Sequence, residues 1–315
     1  MMIPDEASGE RLDRFIQRQS GQPFSVVQRW IRTGQVRLDG KRSRANTRLV
    51  AGGELRLPPF VASGTPAHQT RPKAAEIEAA QAFLDKARVY EDATLLVINK
   101  PAGLAVQGGS GTVRHLDALL RGLTPRPLLV HRLDRDTSGL LLLAKSRLAA
   151  RVLTADFRSQ RVRKTYWAVV AGVPQGESGR IALPLTKRPI GGQERVVVDV
   201  NAGLEAVTLW RKLATEAGLS WLELRPLTGR THQLRVHSAA QGWPILGDSK
   251  YGAASAQSGK PSLLLHARSL NFTHPERQQR VEFTAPCPPA FAAQLEAFGA
   301  SADGALDFSA QGVSG

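Results

Sequence analysis

Over residues 11–58 the apolar positions first recur at helical spacing and then alternate. Leu12, Phe15 and Ile16 mark one helix. Val26, Val27, Trp30 and Ile31 mark a second, which Ser25 is placed to cap and Gly34 to end. Val36-Arg37-Leu38 alternates as a strand does, and Asp39-Gly40 is a tight-turn pair. Residues 49–57 read as a turn and a closing strand that stops at Pro58-Pro59. The pattern predicts a small helix-helix-hairpin domain over 1–60. Residues 61–86 lack it and read as a linker, rich in Pro, Ser, Gly, Thr and His at its start, with a short helix expected over 74–86. From 87 to 300 strands and turns dominate, with a helix expected over 146–158. Small polar residues predict a disordered tail over 301–315.

Two short apolar runs in the second domain, Leu128-Leu129-Val130 and Leu140-Leu141-Leu142-Leu143-Ala144, read as buried β-structure. Between them lies His131-Arg132-Leu133-Asp134-Arg135-Asp136-Thr137-Ser138-Gly139. Such a charged cluster is costly to bury unless its members pair. A conflict between local polarity and core position marks a candidate site.

The length of 315 residues favours two domains, and 42% hydrophobic residues are enough for a real core. The single cysteine, Cys287, excludes a disulfide framework and a cysteine-rich zinc site, and suits a reducing cytosol. No signal peptide is recognisable at the start. No apolar run approaches the roughly 20 residues that span a bilayer, so no membrane partner is expected. The formal net charge of +15 predicts a polyanionic partner, nucleic acid first. In the first domain Arg29, Arg32, Arg37, Lys41, Arg42, Arg44 and Arg48 crowd around the second helix and the turn, with Asp39 their only acidic neighbour.

Three segments of the second domain carry candidate chemistry. One runs from Asn99-Lys100-Pro101-Ala102-Gly103-Leu104 into Val106-Gln107-Gly108-Gly109-Ser110-Gly111. Another is the run containing Asp134. The last is Thr228-Gly229-Arg230-Thr231-His232-Gln233-Leu234-Arg235-Val236-His237, continuing to Asp248 and Tyr251-Gly252. His131, Asp134 and Asp136, with His232 and His237, have the donor types of a zinc or manganese site. The interleaved Arg132, Arg135, Arg230 and Arg235 would repel a divalent ion. The glycine run is not a Walker motif, since no Gly-Lys-Ser/Thr follows, and no Gly-x-Ser-x-Gly elbow occurs. What remains is a carboxylate among arginines. It is either a structural ion pair or an oriented nucleophile or general base.

His131-Arg132-Leu133-Asp134, then Thr137-Ser138-Gly139, then Lys164-Thr165-Tyr166-Trp167-Ala168, then Gly229-Arg230-Thr231-His232-Gln233-Leu234-Arg235-Val236-His237 resembles the signature of the RluA-type pseudouridine synthases, with its motifs in the family's order. The match runs from about Tyr90 to Pro286. The domain in front resembles an S4 RNA-binding domain. Within the family, the S4-like domain, the run 106–111 and Arg135 between the aspartates are most similar to members acting on the ribosomal large subunit, although Gln107 stands where histidine is expected.

The resemblance implies an α+β protein: a small S4-like RNA-binding domain, then a catalytic domain on a mixed, mainly antiparallel sheet with flanking helices. It implies that Asp134 is the catalytic aspartate and that Tyr166 stacks on the target base. Arg235 is expected to pair with Asp134, and Arg132 to hold the base out of the RNA stack. Asp136 is expected to organise the turn through side-chain-to-backbone bonds. Arg230, His232 and Gln233 are expected to brace their loop and contact phosphate, and His131 to be structural. The implied activity isomerises uridines in RNA, in 23S ribosomal RNA, with no cofactor and no metal, as a cytoplasmic monomer. Three routes stay open to Asp134: attack on the sugar, addition to the base, or removal of the C2′ proton. Transfer RNA is an alternative substrate. A non-catalytic RNA-binding or ribosome-assembly protein is an alternative function, but it would need neither Asp134 nor Arg235. A metal-dependent hydrolase using His131, Asp134 and Asp136 is the third.

Overall fold

The computed structural model describes residues 1–59, 73–108, 115–252 and 262–300, with only the backbone of Ser25. The chain divides into two units, Met1–Arg71 and Pro72–Gly315.

In the first unit helices α1 (Leu12–Ser20) and α2 (Phe24–Arg32) precede the short antiparallel strands β1 (Arg37–Leu38) and β2 (Leu55–Arg56). Leu12, Phe15, Ile16, Val27 and Ile31 close on Val36, Leu49 and Leu55 in one core. Asp39 and Gly40 both take positive φ, 50° and 73°, and Leu38 and Lys41 exchange backbone bonds of 3.0 Å across them. This is the twist-matched two-residue turn that Asp-Gly favours. Ser25 does not cap α2. The Pro23 carbonyl accepts from the Val26 and Val27 amides, so the helix opens at Phe24 and Ser25 falls inside its first turn.

The second unit begins with α3 (Ala74–Ala87), β3 (Arg88–Glu91), β4 (Leu95–Lys100), α4 (Leu116–Leu119), β5 (Leu128–Leu129), β6 (Ser138–Ala144) and α5 (Arg147–Arg158). It continues with β7 (Arg163–Ala171), β8 (Ser178–Ala182), β9 (Leu185–Ile190), β10 (Gln193–Val198), β11 (Val207–Glu216) and β12 (Leu219–Pro226). Helix α6 (Gln233–Ala240), β13 (Leu265–Thr273), β14 (Arg280–Thr284) and α7 (Pro289–Glu296) complete it. The main sheet runs β3-β4-β6-β13-β7-β12-β11-β8, with β14 beside β13 and β5 beside β6, and β9–β10 form a separate hairpin. Its pairings are antiparallel except where β6 meets β13.

Strand β6 is buried along its whole length. Its side chains alternate between two cores, as a pleated strand requires. Leu140 and Leu142 join Ala149 and Leu153 of α5. Leu141 and Leu143 join Leu84 and Ala87 of α3 with Leu116 and Leu120. Helix α3 therefore belongs to the second unit, not to a linker over 61–86: its residues 80, 84 and 87 are buried against the sheet. Ser146 caps α5, its side chain accepting from the Ala149 amide at 3.1 Å.

At Gly139 (φ 107°) a Cβ would lie 2.3–2.8 Å from the Ala267 backbone. Glycine is what lets β6 and β13 meet in parallel at the head of β6, where the charged loop enters the sheet. Most of the 61–73 linker, the glycine run beyond Gly108 and the 301–315 tail lie outside the described residues.

Candidate active site

The loop joining β5 to β6 is held from three directions. Leu133 is buried in the core that α3 covers. The His131 ring stacks on Phe157 at 4.2 Å, and its Nε2 accepts the Leu142 amide at 2.8 Å. Burial, helped by the nearby Lys164 charge, pushes the His131 pKa down to about 3 and keeps the ring neutral. Lys100, fully buried at the end of β4, donates to the carbonyls of Pro101 (2.8 Å), Leu104 (2.9 Å) and Arg135 (3.0 Å). Burial lowers its pKa to about 8, against the opposing pull of Asp136 and Asp134.

Asp134 is thus carried on a loop fastened on both sides. Its own carbonyl accepts the Thr137 amide at 3.3 Å, and its carboxylate remains 20% exposed. Asp136 does not organise the turn as expected. Its carboxylate faces solvent and accepts from Arg135 Nε at 3.0 Å, while backbone and Lys100 bonds shape the loop.

The opposite wall is the start of α6. Gln233 is buried and uses both ends of its amide. Oε1 accepts from Thr228 Oγ1 (2.7 Å) and the Arg230 amide (3.0 Å), and Nε2 donates to the Val207 carbonyl (2.9 Å) and Thr208 Oγ1 (3.0 Å). This network fixes the Thr-Gly-Arg turn. His232 sits at the helix mouth in the left-handed region (φ 54°), its Nδ1 2.7 Å from the Tyr251 hydroxyl and its Nε2 3.9 Å from Asp134 Oδ2. Burial lowers the His232 pKa.

The resemblance implies a direct Arg235–Asp134 pair, and the structure divides that arginine differently. Nε and Nη2 both donate to Asp248 at 2.7 Å, and Nη1 stands 3.9 Å from Asp134 Oδ2. Burial alone would raise the Asp248 carboxyl pKa. The Arg235 fork and the amides of Lys250 (2.9 Å) and Tyr251 (3.0 Å) outweigh it and hold the pKa below its ordinary value. Asp248 and Lys100 received no role from sequence. A buried arginine and a buried lysine each demand acceptors, and that demand was the available signal.

Tyr166 projects from β7 between two apolar clusters. Burial, with the Asp134 charge behind it, pushes its pKa up and keeps the phenol neutral. Arg132, Asp134, Tyr166, Arg230, His232 and Arg235 line one cleft of about 460 Å³. Arg132 is exposed, and Arg230 Nε donates to the Glu205 carbonyl at 2.9 Å. The cleft pairs one carboxylate with an aromatic face and several cations. The hydrolase alternative does not fit, because the His131 acceptor nitrogen is engaged by Leu142 inside the protein and cannot converge with Asp134 and Asp136 on an ion.

The other predicted basic residues belong to the N-terminal unit. Arg29, Arg32, Lys41, Arg42, Arg44 and Arg48 are exposed and Arg37 is half-buried. None forms an ion pair with a carboxylate among the described residues.

Residues 94–240 match the family model described as RNA pseudouridylate synthase. The chain is 40% identical over 296 residues to the ribosomal large subunit pseudouridine synthase C of Vibrio cholerae, covering 90% of this chain and 91% of that one. It is 38% identical over 295 residues to the protein of the same name from Escherichia coli, with the same coverage. Among solved structures, human RNA pseudouridylate synthase domain containing 4 superposes with a TM-score of 0.59 at 28% identity, covering 71% of this chain and 97% of that one. Human RNA pseudouridylate synthase domain containing 1 gives 0.56 at 32%, covering 66% and 86%. With identity of this level running through nearly the whole chain, and the fold shared as well, the protein belongs to the RNA pseudouridylate synthase family and is an RNA-uridine isomerase.

Proposed function

We propose that the protein isomerises uridines of ribosomal large-subunit RNA, with Asp134 as the reacting carboxylate. The observation that carries this reading is the placement of Asp134. It is a partly exposed carboxylate on a braced loop, facing Arg235 and His232 across a cleft that also holds Tyr166. The large-subunit target is supported by the relatives' names and their identity along the chain.

The reaction breaks N1–C1′, turns the base, joins C5 to C1′, and moves the C5 proton out as N1 gains one. No electrons are exchanged with a partner. Each of the three routes open to Asp134 uses an oriented carboxylate, and Arg235 Nη1 stands 3.9 Å from its Oδ2. A uridine within a stack must first be unpaired, at a cost of a few kcal/mol. Stacking on Tyr166 and cationic contacts from Arg132 and Arg230 offset that cost. The N-terminal unit serves as an S4-like RNA anchor. Its surface cations, which take no carboxylate partner among the described residues, supply phosphate contacts that add affinity without reading sequence.

No helix among the described residues is long and apolar enough to cross a membrane, and an RNA substrate supports a cytoplasmic location. The test is to map pseudouridine in large-subunit RNA from cells with and without the gene. One or more positions should disappear with the gene and return with the wild-type protein, but not with Asp134→Asn. An unchanged map rejects the reading.

A further inference from the structure

Among the described residues, the buried and half-buried cations of the second unit have partners, with one exception. Lys100 reaches three carbonyls, Arg235 grips Asp248, Lys145 pairs with Glu91 at 2.8 Å and Lys212 with Glu177 at 3.0 Å. Lys164 has none: among the described residues its ammonium makes no hydrogen bond and no ion pair, although the residue is half-buried on β7. The ammonium opens to the cleft rather than being sealed in the core, so its three donors are available to a ligand. Asp134 lines the active-site cleft and Glu282 an adjoining one, but among the described residues neither carboxylate comes within ion-pair distance of the ammonium. The nearby His131 is neutral with its acceptor taken, and burial depresses the Lys164 pKa with no opposing charge to restore it.

Position explains the exception. Lys164 and Tyr166 are two apart on one strand and project on one face. Both line the cleft that holds Asp134. Lys164 also lines an adjoining cleft of about 410 Å³ with Arg163, Arg225, Ser269 and Asn271, and Gln160 borders both. The ammonium therefore stands where the uridine cleft meets a second one, which Arg163 and Arg225 line together with Glu282 and apolar Val162, Leu209 and Leu227.

We infer that Lys164 binds the phosphodiester joining the target uridine to its neighbour, with the adjoining cleft receiving that neighbouring nucleotide. This rests on the reading of the first cleft as the uridine site. Three donors on a point charge suit a phosphate, and a strand leaving the first cleft through this junction must carry one past Lys164. A half-buried lysine whose donors open onto both clefts is placed to meet it.

The test combines Lys164→Met and Lys164→Arg with a stem-loop RNA that the wild-type enzyme converts, made with a single neutral methylphosphonate on either side of the target uridine. Binding is measured in an Asp134→Asn background. Lys164→Met should fold with an unchanged or higher melting temperature. It should bind the unmodified RNA about tenfold more weakly, the usual loss for one charge-assisted contact, and the slope of log affinity against log salt should fall by about 0.7. At one of the two linkages the methylphosphonate should cost the lysine protein about the same factor and cost Lys164→Met nothing further. Lys164→Arg should retain most of the affinity and the methylphosphonate penalty. Additive losses at both linkages, or an unchanged salt slope in Lys164→Met, overturn the assignment. Should Lys164→Met not fold, the methylphosphonate penalty in the lysine protein and its retention in Lys164→Arg decide the matter, and no penalty at either linkage overturns it. A wild-type protein that converts no uridine in large-subunit RNA overturns the functional reading itself, and this inference with it.

Discussion

Arg235 gives its bidentate fork to Asp248, at 2.7 Å twice, and presents Nη1 to Asp134 at 3.9 Å. One buried carboxylate thus fixes the arginine, and the other, partly exposed, takes no direct hydrogen bond among the described residues. Asp248→Asn should break this division. It leaves a buried guanidinium without its compensating charge, a change that typically costs about 3–5 kcal/mol. The urea midpoint should fall and kcat should drop with little change in KM. Arg235→Met combined with Asp248→Asn should recover much of the stability, since the unpaired charge is gone, but none of the activity. A double variant as active as wild type would remove Arg235 from the site.

Asp134→Asn should abolish conversion while leaving RNA affinity within a few-fold and stability nearly unchanged. Among the described residues the Asp134 side chain makes no close hydrogen bond, and it is 20% exposed, so the amide removes charge and reactivity without removing packing. Single-turnover conversion and filter binding with the same RNA separate the two effects. A normal rate from the amide would exclude Asp134 as the reacting group.

The sequence made Asp134 visible because the charged run interrupts two apolar strands, which is a local signal. The separation of Asp134 from Asp136 rested on family likeness alone, and the turn chemistry expected of Asp136 proved to belong to Lys100 and the backbone. Asp248 stayed hidden for a different reason. It lies thirteen residues beyond Arg235, past the end of α6, and only the tertiary path brings the two together. The helix over 74–86 was legible as α3, but alanine, glutamate and lysine blur its apolar stripe, so its place against the sheet rather than in the linker was not. The sheet it covers supplies the stability that its own pattern does not advertise.

Gly139→Ala tests the strand crossing beneath the loop. The added Cβ would meet the Ala267 backbone at 2.3–2.8 Å, and φ of 107° is hostile to any side chain. Backbone must move, so a loss of at least about 2–3 kcal/mol is expected from overpacking with backbone strain. Chemical denaturation measures it directly. A variant within about 0.5 kcal/mol of wild type, the ordinary range for an innocuous change, would show that β6 and β13 do not approach so closely.

His131 carries a pH signature. Its pKa falls from 6.5 to about 3 in the folded chain. Between these values the unfolded state binds the proton and the folded state does not, so stability rises with pH across the window and is lost as pH falls through it. The limiting slope is about 1.4 kcal/mol per pH unit for one such group. His131→Phe keeps the stack on Phe157 but orphans the Leu142 amide, so it should cost about 1–3 kcal/mol at pH 7. It should also flatten the pH dependence of unfolding between about pH 6 and 4 by close to that slope. His266, held near 4 chiefly by burial, keeps part of the dependence in the variant. Equal slopes in the two proteins would mean that His131 is charged in the fold.

The N-terminal cations make the last prediction. Arg29, Arg32, Lys41 and Arg44 are exposed and take no carboxylate partner among the described residues, so replacing all four by glutamine leaves the core of Leu12, Phe15, Val27 and Leu55 untouched. Thermal stability should stay within a few degrees. If these side chains neutralise phosphates, each one replaced should reduce the magnitude of the salt slope by about 0.7–0.9, depending on whether the RNA is single-stranded or paired there. Affinity at low salt should fall by more than at high salt, because counterion release is the driving force removed. Uridine conversion at saturating RNA should persist, since Asp134, Tyr166 and Arg235 sit in the other unit. Titrations at several salt concentrations give the slope, and saturating-RNA kinetics give the rate. A slope equal to that of the wild type would exclude this surface as an RNA contact while leaving the chemistry at Asp134 intact.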